Sequence, residues 1–190
     1  MNEVTIKTQA VYSGRLLKLH VDTVKLPNGR ETTREIVEHP GAVAIIPVLD
    51  NRKLLVVKQY RTAARRRLME IPAGTLEAGE APLACARREL VEETGYAAGR
   101  LTKLFSCYLA PGYSTEKIHF FLASELVLTK SRQAEDESII VQAMDLQGAL
   151  KAVEQGRIQD AKTISALYYL AVHQKKRGRA SRCPRRLSIE

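Results

Sequence analysis

Residues 74–96, GTLEAGEAPLACARRELVEETGY, constrain this chain more tightly than any other stretch. Pro82 suits a first helical turn and Gly95 a helix end, so residues 80–93 form the most sharply bounded helix in the sequence. On such a helix Glu89, Glu92 and Glu93 stand at i, i+3 and i+4 and share one face, while Leu83, Ala86 and Leu90 can cover the core side. Five acidic residues, Glu77, Glu80, Glu89, Glu92 and Glu93, fall in these 23 positions of a chain whose net charge is +9. Carboxylates crowded on one face repel by roughly 0.2–0.5 kcal/mol per pair at a solvated surface, and by more when partly buried. A divalent cation removes that cost, and hard Mg2+ or Mn2+ prefers oxygen ligands together with substrate phosphates. Arg88 can pair with Glu92 one turn on, or with Glu80, and so hold a carboxylate in place. An isolated run of this kind is ordinarily a solvated charged face; the glycine and proline frame argues against that reading here.

The remaining pattern predicts a mixed sheet with helices against it, an α+β fold. Residues 4–26 read as short strands broken by Ser13-Gly14, and Pro27-Asn28-Gly29 as a turn into a strand over 31–38. Such a hairpin is marginal alone and must pack on the main domain or on another subunit. Strands follow over 42–48, 54–59, 67–71, 103–109, 117–126 and 139–143, and a last helix over 164–173. The expected organisation is therefore N-terminal strands over 1–40, a central domain over 41–174, and a basic, disordered tail over 175–190.

That tail holds seven basic residues and one acidic residue, a net +6 of the chain's +9, so the rest is only mildly basic. An RNA- or anion-binding protein using this tail is thus one alternative reading. The tail lacks interleaved aromatics, and disorder is the simpler account, so nucleic acid is not the expected partner. Cys85, Cys107 and Cys183 form no CxxC pair and suggest neither a disulfide framework nor a thiolate zinc site. The longest apolar stretch, 41–49, is far too short to span a membrane. A cytoplasmic protein without a membrane partner is the expectation. The four histidines, His39 and His119 among them, have no metal-ligand spacing.

The segment 74–96 resembles the signature box of the Nudix hydrolase superfamily, with Gly74, Glu80, Arg88-Glu89-Leu90, Glu92-Glu93, Gly95 and Tyr96 at its fixed positions. The resemblance implies an α/β/α sandwich whose loop–helix–loop binds Mg2+ or Mn2+ and hydrolyses a nucleoside diphosphate linked to another group. It implies that Glu89 and Glu93 are direct metal ligands, that Glu92 assists them, and that Ala73 offers its backbone carbonyl. Gly74, Glu80, Arg88 and Gly95 would be structural.

Further features are similar to the ADP-ribose pyrophosphatases. These are Pro111, fifteen residues beyond Tyr96, and the stretches Gln59-Tyr60-Arg61, Glu70-Ile71-Pro72-Ala73-Gly74 and Asp160-Ala161-Lys162-Thr163. ADP-ribose is then the implied substrate, with AMP and ribose 5-phosphate as products; another nucleotide sugar such as GDP-mannose is the alternative. A water activated by a carboxylate is needed; the resemblance implies Glu137 as its first candidate, since it precedes Ser138-Ile139-Ile140-Val141 as the base-bearing loop glutamate precedes a strand in related enzymes, with Glu135 as the reserve. Arg61 can hold a phosphate through a charge-assisted bond, and Glu70 sits close enough to the box to contact substrate or a metal-bound water; the resemblance implies a further substrate-contacting glutamate after the marker proline, here Glu116. The resemblance also implies a homodimer whose N-terminal strands complete the neighbour's adenosine pocket, with Arg34 and Glu35 as cross-subunit contacts.

Overall fold

The computed structural model describes residues 2–50, 53–129 and 139–180, with side chains described as far as His173. Three strands open the chain: β1 (Val4–Ser13), β2 (Lys18–Lys25) and β3 (Glu31–Glu38), paired antiparallel in that order. The sequence pattern suggested a two-stranded hairpin; the Ser13-Gly14 break is instead a full reversal, because residues 14–17 close a turn with Gly14 N–H donating to Leu17 O at 2.9 Å. The second reversal follows the expected chemistry, with Gly29 at φ 84° and Asn28 Oδ1 accepting from the Arg30 amide at 3.1 Å.

The central unit begins with β4 (Ala42–Pro47), β5 (Leu54–Arg61), β6 (Arg66–Glu70) and β7 (Ala73–Thr75). It continues with α1 (Pro82–Thr94), β8 (Tyr96–Tyr108), β9 (Lys117–Leu128), β10 (Ile140–Met144), α2 (Leu146–Glu154) and α3 (Ala161–Ala180). Strands β7-β4-β9-β8 form a mixed sheet in which β4 and β9 run parallel, and β10-β5-β6 form an antiparallel sheet.

Strand β4 explains the architecture. All six of its residues are buried. Ala42, Ala44 and Ile46 pack with Phe120 and with Ala149 and Leu167 of α2 and α3. Val43 and Ile45 pack with Cys85, Ala86 and Leu90 of α1 and with Phe121. A strand covered on both faces needs no polar alternation, which is why residues 42–48 read as an unbroken apolar run. The result is the expected α/β/α layering, with α1 on one face of the mixed sheet and α2 and α3 on the other. Burial of side chains such as Leu90 and Phe121 stabilises this packing by about 1.5–3 kcal/mol each, so α1 is fixed as a rigid platform.

Four local differences from the sequence pattern have physical causes. The pattern assigns nothing to α2, whose signal is short: Asp145 at the N-cap accepts from the Gly148 amide at 2.7 Å, and Leu146, Ala149 and Ala152 form the buried stripe. Strand β7 is only three residues long and escapes any test of period. Strand β8 starts at Tyr96 rather than near residue 103, because pairing with β9 overrides the weak strand preference of Ala97, Ala98 and Gly99. Helix α3 continues to Ala180, six residues into the segment expected to be disordered, since residues 174–177 are good helix formers extending a nucleated helix. Residues 181–190 of the tail lie outside the described residues.

The N-terminal sheet meets the central unit through β3. The Val37 amide donates to Tyr113 O at 2.8 Å, the Thr115 amide to Val37 O at 3.0 Å, and the His39 amide to Thr115 Oγ1 at 2.9 Å. Every residue of β1 is exposed, Val4, Ile6, Val11 and Tyr12 included.

Candidate active site

Strand β7, the loop after it and α1 bring the acidic residues together. Pro82 lies in the first turn of α1, and Gly95 ends it at φ 74°, its amide donating to Val91 O at 2.9 Å. Arg88 is the hub. Its Nε and Nη2 donate to the two oxygens of Glu80 at 3.0 Å each, and its Nη1 donates to Glu89 at 2.7 Å and to Glu92 at 3.0 Å. Glu80 also accepts from the Glu77 amide at 3.1 Å. The fork therefore ties the loop to the helix, and Arg88 meets both partners expected of it and Glu89 besides.

Hydrogen bonds from Arg88 hold the Glu80 carboxyl down at about 2, and the same bond to Glu80 raises the guanidinium. Burial pushes Glu89 up, against the pull of Arg88. Glu93 is buried at 6% exposure, and its Oε2 accepts from the Ala73 amide at 3.0 Å. Burial drives the Cys85 thiol to about 12, so it stays protonated beside the site and offers no soft thiolate ligand.

Gly74 is a cradle for Glu89. A Cβ there would lie 1.9 Å from Glu89 Cδ and 2.0 Å from its Oε1. Gly74→Ala is accordingly expected to leave the fold intact but displace Glu89, lowering turnover by about 10²-fold; turnover within threefold of the parent would remove the cradle from the account.

The residue types suit a hard divalent cation, since Glu89, Glu92 and Glu93 offer carboxylate oxygens. Among the described residues no three His, Cys, Asp or Glu side chains are gathered closely enough to hold an ion as they stand. Arg88 engages Glu80, Glu89 and Glu92, and the Ala73 amide engages Glu93, so a cation must compete with these partners.

A second cluster stands on β5, β6 and α3. Arg61 Nε donates to Glu70 Oε1 at 2.8 Å and its Nη2 to Glu70 Oε2 at 2.7 Å. Lys162 Nζ donates to the same Oε2 and lies 3.0 Å from Asp160. Asp160 in turn accepts from Thr163, whose hydroxyl accepts from the Ile71 amide. Burial alone would raise the Glu70 carboxyl, but Arg61 and Lys162 hold it at about 2. Both oxygens of Glu70 are engaged, so it orders the Arg61 guanidinium beside it. The sequence marks Lys162 only as part of the stretch 160–163 and assigns it no role, because its partner Glu70 lies 92 residues away.

Arg34 pairs with Glu3 and, with Pro111 and Tyr113, borders a concavity of about 320 Å3. Glu35 is exposed on β3, and Glu116 is half-buried just before β9. A larger concavity of about 450 Å3 lies beside Arg15, Lys18, Glu38 and His39. Neither concavity is lined by a residue of the acidic helix. Glu135 and Glu137 lie outside the described residues.

Comparison with known proteins identifies the family. A family model described as "NUDIX domain" matches residues 38–167, and one described as "Nucleoside diphosphate sugar hydrolase N-terminal domain" matches residues 3–37. The chain is 47% identical over 176 residues to an ADP-ribose pyrophosphatase of Bacillus subtilis (strain 168), covering 92% of this chain and 95% of that protein. It is 43% identical to a methanol dehydrogenase activator of Bacillus methanolicus, with 90% and 94% covered. It is 38% identical to an ADP-ribose pyrophosphatase of Mycobacterium tuberculosis, with 98% and 89% covered. Among solved structures, an ADP compounds hydrolase superimposes with a TM-score of 0.83 at 24% identity, covering 94% of this chain and 97% of the other, a likeness of fold.

Proposed function

The chain belongs to the Nudix family, and from that membership we infer a divalent-metal-dependent hydrolase that cleaves the pyrophosphate bond of ADP-ribose to AMP and ribose 5-phosphate. The observation that carries the reading is the face of Glu89, Glu92 and Glu93 on α1, tied by Arg88 to Glu80 of the preceding loop, in a chain similar throughout to ADP-ribose pyrophosphatases.

Glu89, Glu93 and the Ala73 carbonyl would hold Mg2+ or Mn2+, with Glu92 assisting. The bound cation supplies neutralisation of the charge that builds on the diphosphate as water attacks one phosphorus. Gly74 admits Glu89 to its place, and Arg88 keeps the helix and loop in register. Arg61, whose side chain is 40% exposed, would take a phosphate oxygen in a charge-assisted bond. Glu137, with Glu135 in reserve, would accept the proton of the attacking water, whose oxygen forms the new P–O bond as the bridging oxygen leaves.

The test is a panel of nucleotide sugars with purified protein and Mg2+, products identified. ADP-ribose should turn over and excess chelator should abolish it. Good turnover of GDP-mannose with none of ADP-ribose would transfer the assignment to that substrate.

The N-terminal strands over 1–40 are proposed to dimerise, with Arg34 and Glu35 facing the neighbouring subunit. The exposed apolar residues of β1 support this, because an uncovered strand with such side chains is a ready interface. Light scattering should report a dimer that is lost on removal of residues 1–40; a monomeric full chain would end the proposal.

A further inference from the structure

Gln59 is 8% exposed, and its Oε1 is buried without a hydrogen-bond partner among the described residues. Such an atom costs about 1–3 kcal/mol relative to a satisfied one, so its retention calls for a reason. The backbone register supplies one. Gln59 lies opposite Leu68, Val57 opposite Glu70, and Arg61 opposite Arg66. Side chains at alternate positions share a face, so Gln59 and Arg61 stand on the same side of β5, roughly 7 Å apart along the strand. To reach Glu70, the Arg61 side chain must cross the row of Gln59 and Leu68. The Gln59 side chain therefore starts from the row that lies between Arg61 and Glu70 on this face.

Glu70 can release Arg61 without being stranded, because Lys162 remains bound to its Oε2. Arg61 has five N–H donors in a rigid fork and can serve a phosphate and a neutral acceptor together.

We propose that Gln59 is a positioning residue for Arg61: when Arg61 turns from Glu70 to a phosphate of a bound nucleotide, Gln59 Oε1 accepts one of its N–H groups. The arginine then has two seats, one on Glu70 without ligand and one on Gln59 with it. This inference rests on the diphosphate substrate proposed above.

The experiment is a double-mutant cycle read by calorimetry with α,β-methylene-ADP and Mg2+, a probe that cannot be hydrolysed at its diphosphate link. Gln59→Met removes the acceptor at similar volume and should weaken binding about 10-fold, with the melting temperature unchanged or raised. In an Arg61→Ala background the same change should alter binding by less than about twofold. Unchanged binding in Gln59→Met, or equal losses in both backgrounds, would overturn the proposal. If Gln59→Met melts lower, Gln59→Glu decides: restored binding supports the role, and none overturns it. Turnover of ADP-ribose by the parent protein tests the function separately, so the two failures are distinguishable.

Discussion

Glu93→Gln is expected to lower kcat/KM for ADP-ribose by about 10³-fold with the fold intact. Glu93 is buried at the end of α1 and accepts from the Ala73 amide at 3.0 Å. Glutamine keeps an acceptor of the same reach and so preserves that bond. What it removes is the negative charge, which on this reading is the group's contribution to holding a cation. Loss of turnover should therefore come with weakened Mg2+ or Mn2+ binding and a melting temperature near the parent's. Parent-like turnover would reject Glu93 as a ligand; a large fall in melting temperature would make its role structural instead.

Glu70→Gln should have the largest effect on stability, a loss of about 3 kcal/mol and of about 6–12 °C in melting temperature. Removing one partner of a buried ion cluster strands the others, at about 3–5 kcal/mol. The low end applies because Lys162 keeps Asp160 at 3.0 Å and the Arg61 side chain is 40% exposed. The pH dependence has a definite sign. Glu70 is held at about 2 in the folded chain against an ordinary value of 4.5, so its contribution is complete above 4.5 and drains as pH falls toward 2. Glu70→Gln should thus be the less stable protein at neutral pH and should lose less of its stability between these values. Urea melts across that range would show it, and parallel pH profiles for the two proteins would refute it.

The acidic helix was legible without coordinates because its information is local. Spacing of i, i+3 and i+4 fixes one face, Pro82 and Gly95 fix the ends, and Arg88 lies within reach of Glu80 and Glu92 in the same short segment. The turn at Asn28-Gly29 was readable for the same reason. Helix α2 was not, since its stripe is brief and its apolar residues include small alanines with little pattern to detect. The length of β8 was set by its partner β9, which no local propensity reports.

The sequence by itself thus determined the family, the layered fold and the box of Gly74, Glu80, Arg88, Glu89, Glu92 and Glu93, all carried by short-range geometry. Only the tertiary structure decided the rest. It joined Glu70 to Lys162 across 92 positions, gave both oxygens of Glu70 to cations, and left Gln59 Oε1 buried without a hydrogen-bond partner among the described residues. Those relations depend on strand register and on where α3 docks, and burial then makes each of them costly to break.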